Sequence, residues 1–230
     1  MNRAILFDFD GTLAYMQPSH RQLYEQAINE YAESTKLIPV NEISVQDAWV
    51  KWTTNDGVEH LEYSNSKENY NELRRQIHID RLEALSVQKN IKIIADRIVE
   101  LESNANFYML YEEVKETLSA LSQENIQMGI VSNHLWNLND IIKHLGISKY
   151  FDCIISSAQI GYRKPHPKIY ELALSKIDVP SENVLFVGDN FENDYLGPKK
   201  IGLNAILLDR NSTGHINESI KSLNEIGKQL

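Results

Sequence analysis

Phe7-Asp8-Phe9-Asp10-Gly11-Thr12-Leu13 follows the apolar run Ala4-Ile5-Leu6 near the start of the chain. An apolar run that ends in acids and a glycine is typical of a buried parallel strand leading into a turn. Residues two apart on a strand share a face, so we expect Asp8 and Asp10 to enter one crevice. Two neighbouring carboxylates repel each other unless a cation lies between them or one keeps its proton. An isolated Asp-x-Asp is more often a solvated turn, so the interpretation depends on three later segments.

The composition is that of an ordinary soluble globular protein. The chain has 230 residues, of which 42% are hydrophobic and 24% are charged, and it is long enough to bury a sizeable core. Its net charge of −9 argues against nucleic acid or an anionic membrane as the main partner. A phosphorylated substrate would therefore need a local positive centre, such as a metal ion.

The cysteine count and the chain start predict a cytoplasmic protein. The single cysteine, Cys153, excludes an internal disulfide and fits a reducing compartment. The first strand begins by about Ala4, which leaves no room for a signal peptide. No apolar run approaches the ~18 residues that a membrane span needs.

Two patterns divide the rest of the chain. Residues 14–105 show helical periodicity and loops, with no convincing strand. From residue 106 onward, apolar strand segments alternate with helical segments, which indicates right-handed βαβ units on one parallel sheet. A surface helix is predicted at 216–230.

The spacing of the polar segments locates an insertion. Asp8 and Ser132 are 124 residues apart, whereas Ser132 and Lys164 are separated by 32 and Lys164 and Asp189 by 25. One βαβ unit takes about 30 residues, so the first gap holds a surplus of roughly 90. The surplus starts directly after the acidic turn, so we predict that it folds as a helical cap over the crevice.

The second segment is Gly129-Ile130-Val131-Ser132-Asn133. Ser132 ends an apolar strand and precedes a helix predicted at 134–145. Its hydroxyl and the nearby backbone N–H groups are suited to hold an anionic oxygen at a helix N-terminus. Serine is also a common helix cap, so this segment alone carries little weight.

The third and fourth segments add a lysine and more acids. In Gly161-Tyr162-Arg163-Lys164-Pro165-His166-Pro167, two prolines fix the backbone around Lys164, which suits a lysine that neutralises a phosphoryl oxygen. The segment from Phe186 to Asp194 places Asp189 and Asp194 after another apolar strand. Acids at strand ends of one sheet supply the oxygen ligands that Mg²⁺ prefers.

These four segments, in this order, resemble the motifs of the haloacid dehalogenase-like (HAD) hydrolase superfamily, in the branch with a helical cap after the first motif. The resemblance covers essentially the whole chain. It implies an α/β, Rossmann-like core with a parallel sheet of strand order 5-4-1-2-3. The core would comprise 1–13 and 106–230, and the all-helical cap 14–105.

The resemblance also implies a reaction. Asp8 would be the nucleophile that forms an aspartyl-phosphate, and Asp10 would act as general acid and then general base. Thr12 would orient Asp10, while Ser132 and Lys164 would hold the phosphoryl group. This division of roles suits phosphoryl transfer, which needs charge neutralisation and in-line positioning.

Mg²⁺ would be the cofactor. Its ligands would be Asp8, the backbone carbonyl of Asp10, and Asp189. Asp194 would support the metal directly or reach it through water, and it is the least certain ligand because Asn193 occupies the alternative four-residue spacing. The dehalogenase members resemble Asp-x-Tyr-Gly-Thr at the first motif and need no metal, so Asp10 favours a phosphatase.

Several other polar residues are assigned weaker roles. His20, Asn133 and His134 are predicted near the mouth of the crevice, where Asn133 would steady the phosphate or the acidic loop. Arg74-Arg75 is either a solvated helix face or a clamp for a substrate anion.

The sequence thus predicts an Mg²⁺-dependent phosphatase for a small phosphorylated metabolite, monomeric or homodimeric. A nucleoside monophosphate, a sugar phosphate and a phosphoglycolate-like acid all remain possible substrates. A phosphomutase of similar build, a metal-independent 2-haloacid dehalogenase and a non-catalytic binding protein are the alternatives.

Overall fold

The computed structural model describes residues 3–31, 57–58, 60–177, 179–210 and 219–228. Within these ranges the strands are β1 (Ala4–Phe7), β2 (Ala14–Met16), β3 (Tyr108–Leu110), β4 (Gln127–Ser132), β5 (Cys153–Ser156), β6 (Val184–Gly188), β7 (Asn204–Leu208) and β8 (Ser219–Ile220). The α-helices are α1 (His20–Tyr31), α2 (Lys67–Ala84), α3 (Ile91–Glu102), α4 (Val114–Gln123), α5 (Leu138–His144), α6 (Ser157–Ile160), α7 (Pro167–Leu174) and α8 (Gly197–Lys200). None of the helices in the described part of the chain has the length and apolar character needed to cross a membrane.

Six strands form one parallel sheet in the order β5-β4-β1-β6-β7-β8. If β1, β4, β5, β6 and β7 are counted along the chain as core strands 1 to 5, the order read from β7 is 5-4-1-2-3. The predicted α/β class and the order of these five strands are therefore confirmed. The short strand β8 extends the sheet beyond the prediction.

The sheet is covered on both faces. Ile5 and Phe7 of β1 face one apolar cluster, which includes residues of α4 and α5. Ala4 and Leu6 face the other cluster, which includes residues of α7. Alternate residues of a strand point to opposite faces, so a strand buried on both sides reads as the continuous apolar run seen in the sequence.

The predicted surface helix at 216–230 is wrong in the described part of the chain. Residues 219–220 are strand β8, and Leu223–Lys228 forms a 3₁₀ helix. Ile220, Leu223 and Ile226 are buried in the cluster that contains α4. Leu223 and Ile226 are three residues apart, which matches the 3₁₀ period, and the packing of all three residues fixes the segment against the core.

The helices of the inserted region pack on one another. Contacts join α1 to α3 and α2 to α3. The buried residues of this cluster are Leu23, Tyr24, Ala27, Ile28, Leu82, Leu85, Val87, Ile94, Ala95, Ile98 and Leu101. The helical character predicted for this region is seen in its described part, while the domain boundaries at 14 and 105 stay a prediction.

The sequence predicted no strand in 14–105, and this is wrong at the start of that range. Strand β2, at Ala14–Met16, pairs antiparallel with β3 at Tyr108–Leu110. The chain leaves the core and returns to it at this point, so the two segments lie side by side and satisfy each other's backbone groups. A three-residue strand is too short to show a period in the sequence.

The packing around Gly129 of β4 yields a test of the sheet. A Cβ atom at Gly129 would lie 2.6 Å from the Cys153 sulfur and 2.8 Å from Leu6 Cδ2. We expect Gly129→Ala to lower the free energy of unfolding by about 1–3 kcal/mol, because the extra methyl overpacks the core. Gly227→Ala is the matched control, since nothing lies within 4 Å of a Cβ there. Equal urea midpoints for the two variants would contradict this account of the packing.

Candidate active site

Three strand ends bring the predicted residues together. Asp8 follows β1, Ser132 ends β4, and Asp189 follows β6. Strand β1 lies between β4 and β6, so the chain order reverses at this position of the sheet. The crevice beyond such strand ends is where open α/β sheets bind ligands.

Lys164 lies between two carboxylates. Its Nζ is 2.7 Å from Asp8 Oδ1 and 2.7 Å from Asp194 Oδ1. The side chains of Lys164 and Asp194 are almost fully buried, and that of Asp8 is 10% exposed. Burial alone would lower the pKa of Lys164, but Asp194 and Asp8 outweigh this effect and raise it. The lysine is therefore held as a cation at the floor of the crevice.

Asn133 fixes the backbone of that lysine. Its side-chain oxygen accepts a hydrogen bond from the Lys164 N–H at 2.7 Å, and its amide donates to the Lys164 carbonyl at 2.9 Å. The amide is thus engaged with protein backbone, which matches steadying of the loop rather than direct contact with phosphate. The role predicted for Asn133 as a substrate ligand stays a prediction.

The acidic residues form a compact group. One oxygen each from Asp8, Asp189 and Asp194 lies within 4.8 Å of the others. Burial, followed by the Asp8 carboxylate, raises the pKa of Asp189 to about 6. Burial also raises the pKa of Asp194, to about 7. The Lys164 ammonium opposes this rise, and the repulsion from Asp8 adds to it. A bound cation would stabilise the ionised forms of all three carboxylates.

Two glycines make this close approach possible. A Cβ atom on Gly11 would overlap the carboxylate of Asp189, and Gly11 also has a φ of +73°. A Cβ atom on Gly188 would overlap the side chain of Asp194. The glycines of the Asp-Gly-Thr and Gly-Asp segments are therefore needed to bring the acids to one place.

Asp10 faces the crevice next to a buried histidine. Its Oδ2 is 3.5 Å from Nε2 of His134, and its side chain is 49% exposed. The surrounding walls reduce contact with bulk water, and this effect, followed by Asp8, raises the pKa of Asp10 to about 7. Burial lowers the pKa of His134 to about 3, so this imidazole is neutral near pH 7. Asp10 is thus placed to exchange a proton near neutral pH.

Ser132 does not stand at a helix N-terminus, contrary to the prediction of a helix at 134–145. Helix α5 begins only at Leu138. The Ser156 hydroxyl lies 2.9 and 2.8 Å from the carbonyl oxygens of His134 and Leu135 and shares its single proton between them, and this interaction holds the segment as a loop. Ser132 itself is buried at the end of β4 and lines the crevice.

The hydroxyl of Thr12 is buried and makes no hydrogen bond to any described residue. An interaction of this group with Asp10, implied by the sequence resemblance, is therefore not seen, and the role of Thr12 stays a prediction.

Two adjoining cavities open from these residues. A cavity of about 300 Å³ is lined by Asp8, Ser132, Lys164, Asp189 and Asp194, among others. A second cavity of about 620 Å³ lies between the core and the helices of the inserted region. Asp10 and Asn133 line both cavities. A substrate whose reacting group lies among these acids would therefore have the rest of its molecule in the 620 Å³ cavity.

The inserted helices close over the core through specific contacts. The Arg163 N–H donates to the Gly57 carbonyl at 2.8 Å. Tyr70 of α2 packs against Trp136 with ring centroids 6.3 Å apart. An apolar cluster joins α2 to the core. As predicted, His20 and His134 also lie at the cavity between the two parts.

A comparison with protein-family models matches residues 2–202 to the haloacid dehalogenase-like hydrolases. The chain belongs to this family. The recognition of this family from the four motifs is confirmed. The helical insertion and the strand-end acids described above are thus features of a HAD-like hydrolase.

Relatives and a solved structure agree with the family. Phosphoglycolate phosphatase from Photorhabdus laumondii is 29% identical over 202 residues, which are 87% of this chain and 77% of that protein. Haloacid dehalogenase-like hydrolase domain-containing protein 3 from Xenopus laevis is 26% identical over 128 residues, 56% of this chain and 52% of that protein. The chain thus spans about half the length of this relative and of its mouse counterpart. The structure of 2-haloacid dehalogenase from Pseudomonas syringae pv. Tomato DC3000 shares the fold, with a TM-score of 0.68 at 20% identity over 99% of this chain and 97% of that one.

Arg210 is a residue of this HAD-like hydrolase that the motifs missed. Its Nε donates to the Gly11 carbonyl at 3.1 Å, and its Nη2 donates to the Thr12 carbonyl at 2.7 Å. Its Nη1 pairs with Glu113 at 2.7 Å, and its guanidinium lies over the Tyr111 ring at 3.7 Å. Arg210 follows β7 at the same edge of the sheet as the acids, and this position is the signal that could have revealed it.

We expect Arg210→Lys to lower kcat for a test phosphomonoester by about 10- to 100-fold, because an ammonium group lacks the rigid planar guanidinium that reaches Glu113 and both carbonyls of the turn that carries Asp10. KM should change less than kcat, since Arg210 does not line either cavity. Steady-state kinetics would separate the two constants. Arg97→Lys is the matched control, because Arg97 pairs with Glu30 and Glu100 on the outside of α3. Equal kcat for both variants would refute a positioning role.

Proposed function

We propose that this HAD-like hydrolase is an Mg²⁺-dependent phosphatase that cleaves a small phosphomonoester through an aspartyl-phosphate on Asp8. The observation that carries the proposal is the position of the Lys164 ammonium ion. It lies between Asp8 and Asp194, which are two of the three grouped carboxylates. A cationic donor next to a nucleophilic carboxylate suits a dianionic phosphoryl group. The phosphatase name of the Photorhabdus laumondii relative supports the same reaction class.

The donor set fits Mg²⁺. All three acids offer carboxylate oxygens, the ligand type that this ion prefers, and these oxygens lie within 4.8 Å of one another. Asp8, Asp189 and the backbone carbonyl of Asp10 would hold the ion. Both oxygens of Asp194 already accept hydrogen bonds, from Lys164 at 2.7 Å and from the Asn190 N–H at 2.9 Å, which favours contact through water. Bound Mg²⁺ would offset the negative charge of the acids and of the phosphoryl oxygens.

The reaction would proceed in two displacements. An Asp8 carboxylate oxygen attacks phosphorus, the bond from phosphorus to the ester oxygen breaks, and Asp10 gives its proton to the departing oxygen. Asp10 then takes a proton from water, and the water oxygen attacks phosphorus as the bond to Asp8 breaks. The products are the alcohol and inorganic phosphate, and both acids return to their initial states. Ser132 and Lys164 would hold the phosphoryl oxygens in both steps.

Asp8→Asn should lower phosphate release at least ~10³-fold, because the amide cannot form the covalent intermediate. Phosphate release from a panel of phosphomonoesters would be measured with Mg²⁺ present, and product analysis would show whether an isomerised ester forms instead. Circular dichroism and thermal melting would establish that the variant is folded. Asp140→Asn, a change at an exposed position of α5, is the control. Near-normal phosphate release by folded Asp8→Asn protein would overturn the mechanism, and an isomerised ester would identify a phosphomutase.

Chelation with EDTA should abolish phosphate release, and added Mg²⁺ should restore it. Ca²⁺ should restore it poorly, because it prefers looser geometry and higher coordination. Mg²⁺ should also raise the Tm of the wild-type protein, since a ligand that binds only the folded state stabilises it, and Asp189→Asn should weaken this shift more than Asp140→Asn does. Full phosphate release after exhaustive chelation would overturn the proposed Mg²⁺ dependence.

A further inference from the structure

Arg74 has a different environment from its neighbour Arg75, although both are on α2. The side chain of Arg74 is only 8% exposed and lines the 620 Å³ cavity. Arg75 is 36% exposed and pairs with Glu72 and Asp96 on the outer face of the helices. The sequence left open whether this pair forms a solvated helix face or a clamp for a substrate anion. Arg75 lies on a solvated face. Arg74 faces the space that would hold the leaving group of the proposed substrate.

A buried network holds the guanidinium of Arg74 in place. Its Nη2 forms an ion pair with Glu102 of α3, whose side chain is 2% exposed, and lies 3.1 Å from Nε2 of His78. His78 Nε2 is 3.0 Å from Glu102, and its Nδ1 is 2.6 Å from the Tyr24 hydroxyl. A neutral His78 with its proton on Nε2 donates to Glu102 and accepts from Tyr24. Burial, followed by Arg74, lowers the pKa of His78 well below its usual value, which keeps the imidazole neutral.

The rest of the Arg74 guanidinium has no partner among the residues that the structure describes. All its contacts use Nη2, and neither Nε nor Nη1 forms a hydrogen bond or ion pair within the described chain. Nε and Nη1 are also accessible to solvent. Because the rest of the Arg74 side chain is buried, the space next to these nitrogens is the cavity that Arg74 lines. Buried guanidinium donors without a partner are costly. Nε–H and Nη1–H point to different edges of the guanidinium plane, because Nη1 lies on the side of Cδ, so each can donate one charge-assisted hydrogen bond to an anionic oxygen in the cavity.

The charges along the cavity favour such a ligand. Its charged lining consists of four arginines and two acids, namely Arg21, Arg74, Arg81, Arg163, Asp10 and Glu102. One of the acids, Glu102, is already paired with Arg74, and one of the arginines, Arg21, is paired with Glu25. The other, Asp10, lies at the end of the cavity nearest the reacting centre. A volume of about 620 Å³ lies within the range of small-molecule sites.

We propose that Arg74 binds a second anionic group, a carboxylate or a phosphate, on the leaving group of the substrate. This inference rests on the proposed phosphatase function and narrows its substrate to a phosphomonoester with a second negative charge. Glu102, which His78 holds in place, orients the guanidinium, and the anion accepts hydrogen bonds from its remaining donors. An uncharged leaving group would offer these donors only weaker, neutral acceptors.

The test compares esters that differ only in the second charge. 3-Phosphoglycerate and glycerol 3-phosphate differ by a carboxylate in place of a hydroxymethyl group. Propane-1,3-diol bisphosphate and its monophosphate test a second phosphate. The ratio of kcat/KM for the charged to the uncharged member of each pair is measured with Mg²⁺ present. Hydrolysis of p-nitrophenyl phosphate, and its loss in Asp8→Asn, reports on the phosphatase function separately.

The variants must not leave Glu102 as a lone buried charge, because that would destabilise the fold. The double variant Arg74→Gln with Glu102→Gln removes both charges together, and Arg74→Lys keeps the charge without the fork. Arg75→Gln is the matched control on the same helix. Thermal melting establishes that each protein is folded.

We expect the double variant to lower the charged-to-uncharged ratio for at least one pair by about 10- to 100-fold, with Arg74→Lys intermediate and Arg75→Gln at the wild-type ratio. The affected pair identifies the anion as carboxylate or phosphate. If no ester is hydrolysed, calorimetric binding of the same four compounds to Asp8→Asn protein gives the ratio directly. Ratios that are the same in the Arg74 variants and in Arg75→Gln would overturn the proposal, even if p-nitrophenyl phosphate is hydrolysed normally.

Discussion

The placement of Lys164 between Asp8 and Asp194 is the interaction on which the arrangement of the crevice depends. Three carboxylates with oxygens within 4.8 Å repel one another, and the repulsion is strong because burial removes most of the screening by water. Lys164 opposes it with two contacts of 2.7 Å, yet the pKa of Asp194 is still raised to about 7. Burial is the largest cause of that rise and Asp8 adds to it, so one lysine does not offset both effects. The acids that Lys164 leaves uncompensated are the physical reason for the proposed divalent cation, which would also offset the charge of an anionic substrate.

The parts of this site that could be predicted from sequence are those fixed by sheet geometry. An apolar run identifies a buried strand, and the residues at its carboxyl end must lie at one edge of a parallel sheet. Asp8, Ser132 and Asp189 follow from that rule alone. The glycines beside the acids were visible as well, but the structure adds the reason for Gly11 and Gly188, since any side chain there would overlap a carboxylate.

The parts that could not be predicted are contacts between segments whose relative position no local pattern records. The bonds from Asn133 to the Lys164 backbone and the pair between Arg74 and Glu102 depend on how loops and helices settle against one another. The burial of Arg74 could not be predicted, because Arg75 beside it is the same residue type and the sequence does not show which of the two faces the core. Strand β2 and the 3₁₀ helix near the C-terminal end were missed because both are shorter than the windows in which a period can be recognised.

The ribbon formed by β2 and β3 links the inserted helices to the acidic turn. Strand β2 begins a few residues after Asp10 and Gly11. Strand β3 leads from the helices back to Tyr111, whose N–H donates to the Leu13 carbonyl at 3.2 Å. Arg210 contacts both sides of this junction, through the Gly11 carbonyl and the Tyr111 ring. Strands β2 and β3 are the covalent connections between the inserted helices and the core. A change in the orientation of the helices must therefore act on these two strands. The same contacts that fix Asp10 would therefore also couple its position to any closure of the cavity, so that in the proposed reaction Asp10 would give its proton where the inserted helices exclude water.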